Sequence, residues 1–312
     1  MAGHKVAFLF PGQGSQKVGM GKEAYAASGA ARGVFEAADR VLGDALSTLC
    51  FEGPEEELRL TANTQPAVLT TSIAVLQLLG GERPDVAAGH SLGEYTAHVC
   101  AGTIAFEDAV TLVRKRGRFM QEAVPVGQGA MAAILKLDDD VVEAICADTA
   151  GVVEPVNYNS PGQVVIAGEA AAVGAASAEA KARKGRAMPL PVSAPFHSSL
   201  MQPAEDQLAP HLDSIAFQDP AFPVVVNVDA APVTDAGAAR DALRRQVSRS
   251  VRWAASVRRM VEDGVGLFVE IGEGKALTGM VKRIAKDVPA LSVQGPADVE
   301  AARAAIREAR GG

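Results

Sequence analysis

The residues best suited to chemistry surround Ser91, in the stretch Ala88-Gly-His-Ser-Leu-Gly-Glu-Tyr95. A short apolar run, residues 84–88, precedes this Gly-x-Ser-x-Gly pattern, and the segment Glu94–Cys100 after it contains no helix breaker. A serine at this spacing between a strand and a helix is typical of a nucleophile elbow, whose tight turn exposes the hydroxyl at a helix N-terminus. We therefore expect Ser91 to be a nucleophile, and the alternative is an ordinary glycine-rich turn.

A second candidate loop, Pro11-Gly-Gln-Gly-Ser-Gln16, follows the apolar run Val6–Phe10. A dinucleotide-binding loop would need a third glycine at position 17, where the chain has Lys17, and no Walker lysine motif follows. The backbone amides of this loop are free to approach an oxyanion, and the amide of Leu92 can point at the same place. A plain turn remains the alternative.

One arginine falls on the apolar face of the helix predicted over Glu107–Val124. On a helical wheel Arg116 lies in the middle of the apolar arc, whereas Arg114 and Arg118 lie on the opposite side. A buried guanidinium stays protonated and needs an anion, which is either a structural carboxylate or a ligand. The wheel favours neither. The apolar arc consists of Leu112, Val113, Phe119, Met120 and Ala123.

The histidines that could serve as a base for the serine are His4, His90, His98, His197 and His211. His4 is close to the N-terminus, and the side chain of His90 points away from that of the adjacent Ser91. His98 lies about two helical turns, ~10 Å, beyond Ser91. His197 lies in a proline-bearing turn between elements, the usual place for a catalytic base. His211 belongs to a polar helical segment, so His197 is the favoured base.

Composition restricts the class of protein. The chain has 312 residues, 48% of them hydrophobic, and a formal net charge of −7, which argues against a nucleic-acid partner. No apolar run approaches the ~20 residues that span a bilayer. The N-terminal apolar run is too short for a signal peptide. Cys50, Cys100 and Cys146 lie far apart, which predicts buried thiols in a reducing, cytoplasmic compartment and no metal site.

The element pattern changes near residue 130 and then reads βαββαβ, the order of a ferredoxin-like unit. We expect an inserted ferredoxin-like small subdomain over residues 127–195. Residues 1–126 and 196–312 would form an α/β-hydrolase-like catalytic subdomain with a parallel sheet. Two further expectations are a helix with Pro66 in its first turn and a frayed amphipathic helix at residues 298–310.

The segment Arg240–Met260 reverses the negative charge of the chain, with seven arginines against one nearby acid, Asp241. By helical spacing Arg245, Arg249 and Arg252 share one face. This segment is either a solvated helix paired with acids elsewhere or a docking face for an acidic partner.

Several strings together resemble the malonyl-CoA:acyl carrier protein transacylase family, acyltransferases of fatty acid and polyketide synthesis. The resemblance extends over essentially the whole chain, in order and at family spacing. The strings are Phe10-Pro-Gly-Gln-Gly-Ser-Gln16, Gly89-His-Ser-Leu-Gly-Glu-Tyr95, Arg116-Gly-Arg-Phe-Met-Gln-Glu-Ala123, Asn157-Tyr-Asn-Ser-Pro-Gly-Gln163, Ser193-Ala-Pro-Phe-His-Ser198 and Phe268-Val-Glu-Ile-Gly272.

The resemblance implies catalytic roles. Ser91 would take the malonyl group as an ester, and His197 would activate it and protonate the leaving thiol. A backbone carbonyl near Gln246, in place of a carboxylate, would orient the histidine. The amides of Gln13 and Leu92 would form an oxyanion hole.

The resemblance also implies specificity and partners. Arg116 would clamp the free malonyl carboxylate and so reject acetyl-CoA. Phe196 and Asn157 would contact substrate, and Phe196 and Leu92 favour malonyl over methylmalonyl groups. No cofactor would be bound permanently, because the partner carries the phosphopantetheine.

Acidic acyl carrier protein would land on Arg245, Arg249 and Arg252, and the enzyme is expected to be a monomer. The rival interpretations are a serine hydrolase, a stand-alone acyltransferase of a polyketide synthase, and a docking scaffold without activity.

Overall fold

The computed structural model describes residues 3–192 and 194–312, and the strands among these residues form two sheets. The strands are β1 (Lys5–Phe10), β2 (Val86–Gly89), β3 (Gly129–Leu135), β4 (Val153–Ser160), β5 (Gln163–Glu169), β6 (Arg186–Pro189), β7 (Val224–Val226), β8 (Ala231–Val233), β9 (Val265–Ile271) and β10 (Ala290–Val293). The helices are α1 (Lys22–Ala27), α2 (Gly29–Leu42), α3 (Leu46–Glu52), α4 (Glu55–Leu58), α5 (Thr61–Leu78), α6 (Leu92–Cys100), α7 (Phe106–Glu122), α8 (Asp139–Asp148), α9 (Ala170–Ala182), α10 (Gln202–Ser214), α11 (Ala236–Arg245), α12 (Trp253–Glu262), α13 (Ala276–Ile284) and α14 (Val299–Ala309).

The larger sheet has the strand order β10-β9-β1-β2-β7-β8, and only the edge strand β8 is antiparallel to its neighbour. Val6–Phe10 is fully buried because helices cover both faces of the sheet, which is why its sequence is continuously apolar. The register pairs Phe10 with Gly89, so the carboxyl ends of β1 and β2 meet at one edge. The loops that follow these two strands therefore face each other there.

The smaller sheet has the order β4-β5-β3-β6, with every neighbouring pair antiparallel. With α8 and α9 packed on it and a core of its own, it forms the ferredoxin-like βαββαβ unit that the sequence predicts. All four strands fall within residues 127–195. The α/β fold with a parallel sheet and an inserted ferredoxin-like unit is thus confirmed.

Three local expectations are wrong. Pro66 is the sixth residue of α5 rather than part of its first turn, and near-complete burial of this helix outweighs the hydrogen bond that proline removes. The C-terminal helix α14 is not frayed, because Val299, Ala302 and Ile306 are buried in the main core.

The third wrong expectation concerns the basic segment, which is not one helix. Helix α11 ends at Arg245 and α12 begins at Trp253, so Arg249 and Arg252 lie in a turn between them. The chain leaves the helix because Val251 pairs with β4: its N–H donates to Val156 and its carbonyl accepts from Tyr158. Tertiary strand pairing therefore overrides the helical spacing.

Across the described ranges, no helix is both long and apolar enough to cross a membrane. Cys50 and Cys146 are buried, Cys100 is half-buried, and all three are free thiols.

Candidate active site

Ser91 occupies the sharp turn between β2 and α6. Its backbone has φ 52° and ψ −110°, a conformation that non-glycine residues rarely adopt and that persists only when the surroundings enforce it. The turn places the half-buried side chain directly before the first turn of α6. The strand–turn–helix context expected for a nucleophile elbow is present.

Two glycines make this turn possible because backbone atoms pass where a side chain would be. A Cβ on Gly89 would lie 1.9 Å from the carbonyl of Gly93, and a Cβ on Gly93 would lie 2.0 Å from the carbonyl oxygen of Phe10. The Gly-x-Ser-x-Gly spacing therefore reflects close packing of the elbow against β1.

Asn227, at the end of β7, holds the elbow in place. Its Oδ1 accepts from the Ser91 N–H at 2.7 Å, and its Nδ2 donates to the Gly89 carbonyl at 2.7 Å. Its own N–H donates to Oε2 of the fully buried Glu94 at 2.7 Å. Sequence reasoning missed this residue. Its signal is an amide side chain directly after the apolar run Pro223–Val226.

The Ser91 hydroxyl contacts His197. The Oγ–Nε2 distance is 2.7 Å, and His197 Nδ1 lies 2.8 Å from the Gln246 carbonyl oxygen. Since a carbonyl only accepts, Nδ1 carries the proton and Nε2 is free to accept one from Ser91. Burial, and then the charge of Arg116, lower the pKa of His197 from its usual value to about 3. The imidazole is therefore neutral at physiological pH, as a base must be.

The other histidines are held away from the serine. His90 Nε2 lies 2.8 Å from Asn159 Oδ1, and His211 Nδ1 lies 3.2 Å from Lys115 Nζ. His98 is fully buried with neither ring nitrogen hydrogen-bonded, and burial lowers its pKa to about 3. Their placement agrees with the choice of His197.

Arg116 lies on the inward face of α7 and is only 1% exposed. Its Nη1 donates to Gln65 Oε1 at 2.9 Å, and its Nη2 donates to Gln246 Oε1 at 2.8 Å and to Ser91 Oγ at 3.3 Å. In the described part of the chain no carboxylate forms an ion pair with it. The Tyr95 ring faces it at 5.2 Å. A buried cation beside the hydroxyl thus lacks a direct counter-ion.

Gln246 joins the three central residues through different atoms. Its carbonyl accepts from His197, its Oε1 accepts from Arg116, and its Nε2 donates to the Ser91 carbonyl at 2.9 Å. The sequence pointed only to the carbonyl. Gln65 was missed altogether, although a glutamine directly before the apolar run Pro66–Leu69 is a detectable signal.

The two candidate oxyanion amides lie at the ends of β1 and β2. Leu92 is the first residue of α6, where the N–H groups lack intrahelical partners and form the positive end of the helix dipole. Among the described residues, neither the Gln13 nor the Leu92 N–H donates to a backbone carbonyl. The carbonyl of His90 lies so close to Gly12 that a Cβ there would be 2.3 Å away, so the two loops are in contact.

The remaining predicted residues are placed differently. Phe196 is buried beside His197, whereas Ser193, which begins the same string, lies outside the described residues. No hydrogen bond links the side chain of Asn157 to this group, and its Oδ1 is buried without a partner. Asn159 contacts His90 instead.

The three arginines predicted to receive a partner line one cavity, although two of them lie outside the helix. Arg245, Arg249 and Arg252 line a space of about 410 Å³ together with Val228 and Ser250. A separate finding concerns metals: among the described residues, no group of three or more His, Cys, Asp or Glu side chains could hold a metal ion.

Comparison with known proteins places this geometry in a family. The model of the acyl transferase domain matches residues 7–306. The malonyl CoA-acyl carrier protein transacylase of Salmonella typhimurium is 52% identical over 302 residues, covering 95% of this chain and 98% of that protein. The transacylase of the same name from Bacillus subtilis is 47% identical over 310 residues, covering 97% and 98%.

Solved structures agree. An acyl carrier protein S-malonyltransferase from Vibrio cholerae matches with a TM-score of 0.93 and 47% identity, covering 96% of this chain and 99% of that one. A malonyl-transacylase in complex with its type II PKS acyl-carrier protein matches with a TM-score of 0.94 at the same identity and coverage. The chain therefore belongs to the acyl transferase family, and within it to the malonyl CoA-acyl carrier protein transacylases.

Proposed function

We propose that this chain transfers the malonyl group of malonyl-CoA to the phosphopantetheine thiol of an acyl carrier protein, through a malonyl ester on Ser91. The observation that carries the proposal is Arg116, a buried cation 3.3 Å from the Ser91 hydroxyl and without a direct carboxylate partner. A guanidinium fork fits a carboxylate, which a malonyl group has and an acetyl group lacks.

In the first half-reaction Ser91 Oγ attacks the thioester carbonyl while His197 Nε2 takes its proton. The negative charge that develops on the carbonyl oxygen is stabilised by the N–H groups of Gln13 and Leu92, each donor typically contributing ~3 kcal/mol. The attack gives a tetrahedral intermediate. When it collapses, the carbon–sulfur bond breaks, and the imidazolium of His197 gives its proton to the departing sulfur of coenzyme A.

The second half-reaction runs through the same groups. His197 takes a proton from the carrier thiol, the sulfur attacks the malonyl ester, and the proton passes to the departing Ser91 Oγ. Coenzyme A leaves before the carrier reacts, so the kinetics are ping-pong. The Gln246 carbonyl keeps the imidazole in the required tautomer throughout.

The proposal also covers substrate contacts, carrier docking, oligomeric state and location in the cell. Phe196 and Asn157 contact the substrate, and the basic segment around Arg249 and Arg252 receives an acidic carrier. Arg245 is less available because Asp229 and Asp241 already bind it. The protein is proposed to act as a monomer. Free thiols support a cytoplasmic location.

A second candidate pathway has a specific observation in its favour. The match to the transacylase bound to a type II PKS carrier is as close as the match to the S-malonyltransferase from Vibrio cholerae. The chemistry is the same, so the proposal for fatty acid synthesis and this alternative differ only in the preferred carrier protein. Comparing kcat/KM for the two kinds of carrier decides between them.

The experiment is an acylation and chase followed by mass spectrometry. Mixing the protein with malonyl-CoA should add one malonyl group to the peptide that carries Ser91, and Ser91→Ala should remain unmodified. Holo carrier protein should then remove the group and become malonylated. Failure to form the adduct contradicts the proposal, and release of free malonate as the main product indicates a hydrolase.

A further inference from the structure

The arginine-lined cavity is next to a residue that holds the elbow, since the Arg252 N–H donates to the Asn227 carbonyl at 2.9 Å. Its walls are Val228, Arg245, Arg249, Ser250 and Arg252, and it encloses about 410 Å³. Both Arg249 and Arg252 are exposed and reach it from the turn that joins α11 to α12. The catalytic steps described above use neither side chain.

Two of the three guanidinium groups are available to an external anion. Arg245 is occupied, since Asp229 binds it through both oxygens at 3.0 and 2.7 Å and Asp241 binds it at 2.7 Å. Arg249 and Arg252 form no ion pair with any described residue, although the charge of Arg252 helps to lower the pKa of Asp229. Three arginines against two aspartates leave the cavity positive.

Of the other arginines of the basic segment, Arg240 and Arg258 form no ion pair with a described residue but do not line the cavity, and two more have acidic neighbours. Arg259 is paired with Asp263 at 2.8 Å, and Arg244 lies 3.9 Å from Glu205. Two guanidinium forks without an ion pair therefore line one small space, which is a suitable set of donors for a phosphate.

The cavity is connected to the catalytic residues at both sides. Gln246 contacts Ser91, Arg116 and His197. Arg249 comes three residues after Gln246, so their Cα atoms are at most ~11 Å apart. On the other side Val228 directly follows Asn227, which binds the Ser91 N–H. An anion in the cavity is thus within reach of a flexible arm whose other end lies at Ser91.

We propose that Arg249 and Arg252 bind the phosphate at the end of the pantetheine arm, the group that coenzyme A and the carrier-bound acceptor have in common. This inference rests on the proposed function and deepens it. One phosphate site would anchor the arm in both half-reactions and bring the sulfur of either substrate to the same position beside Ser91. Guanidinium groups bind phosphate through paired, charge-assisted hydrogen bonds.

The test compares three donors that differ only beyond the arm: malonyl-CoA, malonyl-4′-phosphopantetheine and malonyl-pantetheine, which has no phosphate. For the double variant Arg249→Ala, Arg252→Ala we expect kcat/KM of Ser91 acylation to fall about 10- to 100-fold with the two phosphate-bearing donors, mainly through KM. Malonyl-pantetheine should show no comparable fall. The matched control is Arg258→Ala, Arg259→Ala, which removes two exposed arginines of α12 outside the cavity.

Each other outcome overturns the inference in a recognisable way. A loss with malonyl-CoA alone would mean that the arginines bind the other phosphates of coenzyme A. A loss confined to transfer onto the holo carrier would mean that they bind only the acidic surface of the carrier protein and not the phosphate. An equal loss with all three donors, or in the control variant, would indicate a structural effect. Failure of the wild type to be acylated by any donor would instead contradict the proposed function.

Discussion

Arg116 is held by neutral oxygens, an arrangement that leaves its charge available to an anionic ligand, as the proposed function requires. Its amide partners Gln65 and Gln246 fix the guanidinium without neutralising it. The helical wheel correctly placed the residue on the buried face but left its anion open. The two glutamines were beyond sequence reasoning because they lie 51 and 130 residues away, and only the fold brings them together.

Glu94 is a second buried charge-bearing residue of the site. Burial raises the pKa of its carboxyl to about 7. Between pH 4.5 and 7 the folded protein keeps a proton that the unfolded chain releases, so the contribution of Glu94 to stability falls as pH rises. For His98 and His197 the pKa is lowered to about 3, so their contribution to stability falls as pH drops below 6.5.

We predict that Glu94→Gln removes this dependence. The amide still accepts from Asn227 but cannot ionise, so the variant should gain stability relative to wild type as pH rises from 4.5 to 7, by on the order of 1–3 kcal/mol. The measurement is Tm against pH for both proteins and for Glu122→Gln, an exposed control. Parallel wild-type and Glu94→Gln curves would contradict the burial of an ionisable group here.

At the scale of elements, the site exists because β1 and β2 are parallel neighbours. The elbow after β2 and the glycine-rich loop after β1 meet at one sheet edge. The apolar runs and glycine patterns predicted both strands and both loops. The turn at residues 246–252 was not predictable, because its pairing with β4 depends on how the inserted unit is placed against the large sheet.

The elbow predicts a sharp difference between glycines. Gly93→Ala should lower Tm markedly and abolish acylation of Ser91, because its Cβ would meet the backbone of Phe10 at 2.0 Å. Such overpacking typically costs ~1–3 kcal/mol or more. Gly33→Ala in α2 meets nothing within 4 Å and should leave Tm unchanged or raise it. Thermal melts and the acylation assay provide the comparison, and a Gly93→Ala protein with wild-type Tm and activity would refute the elbow geometry.

For the molecule as a whole, charge opposes the proposed partnership except at one place. The chain has a net charge of −7, so its overall charge repels an acidic carrier, whereas the basic segment attracts it. The inserted unit and the parallel sheet were predictable from element order. The charge distribution was only partly so, because Asp229 binds Arg245 from a different part of the chain.

We therefore predict that KM for the carrier protein rises several-fold between ~50 mM and ~500 mM salt. Over this range the Debye screening length falls from more than ~10 Å toward ~3 Å. Attraction between exposed charges weakens accordingly. KM for a donor without a phosphate, such as malonyl-pantetheine, should change much less, because the Arg116 that binds its carboxylate is buried. Steady-state kinetics at increasing KCl measure both, and an equal salt effect on both substrates would argue against electrostatic docking.

The most direct test measures single-turnover acylation of Ser91 by malonyl-CoA and by acetyl-CoA in wild type, Arg116→Ala and Arg118→Ala. Arg118 is exposed on the same helix and serves as the control. Loss of a buried charge partner costs ~3–5 kcal/mol, so Arg116→Ala should lose at least about 100-fold in malonyl transfer and retain or gain acetyl transfer. An unchanged ratio of malonyl to acetyl transfer in Arg116→Ala would contradict the account.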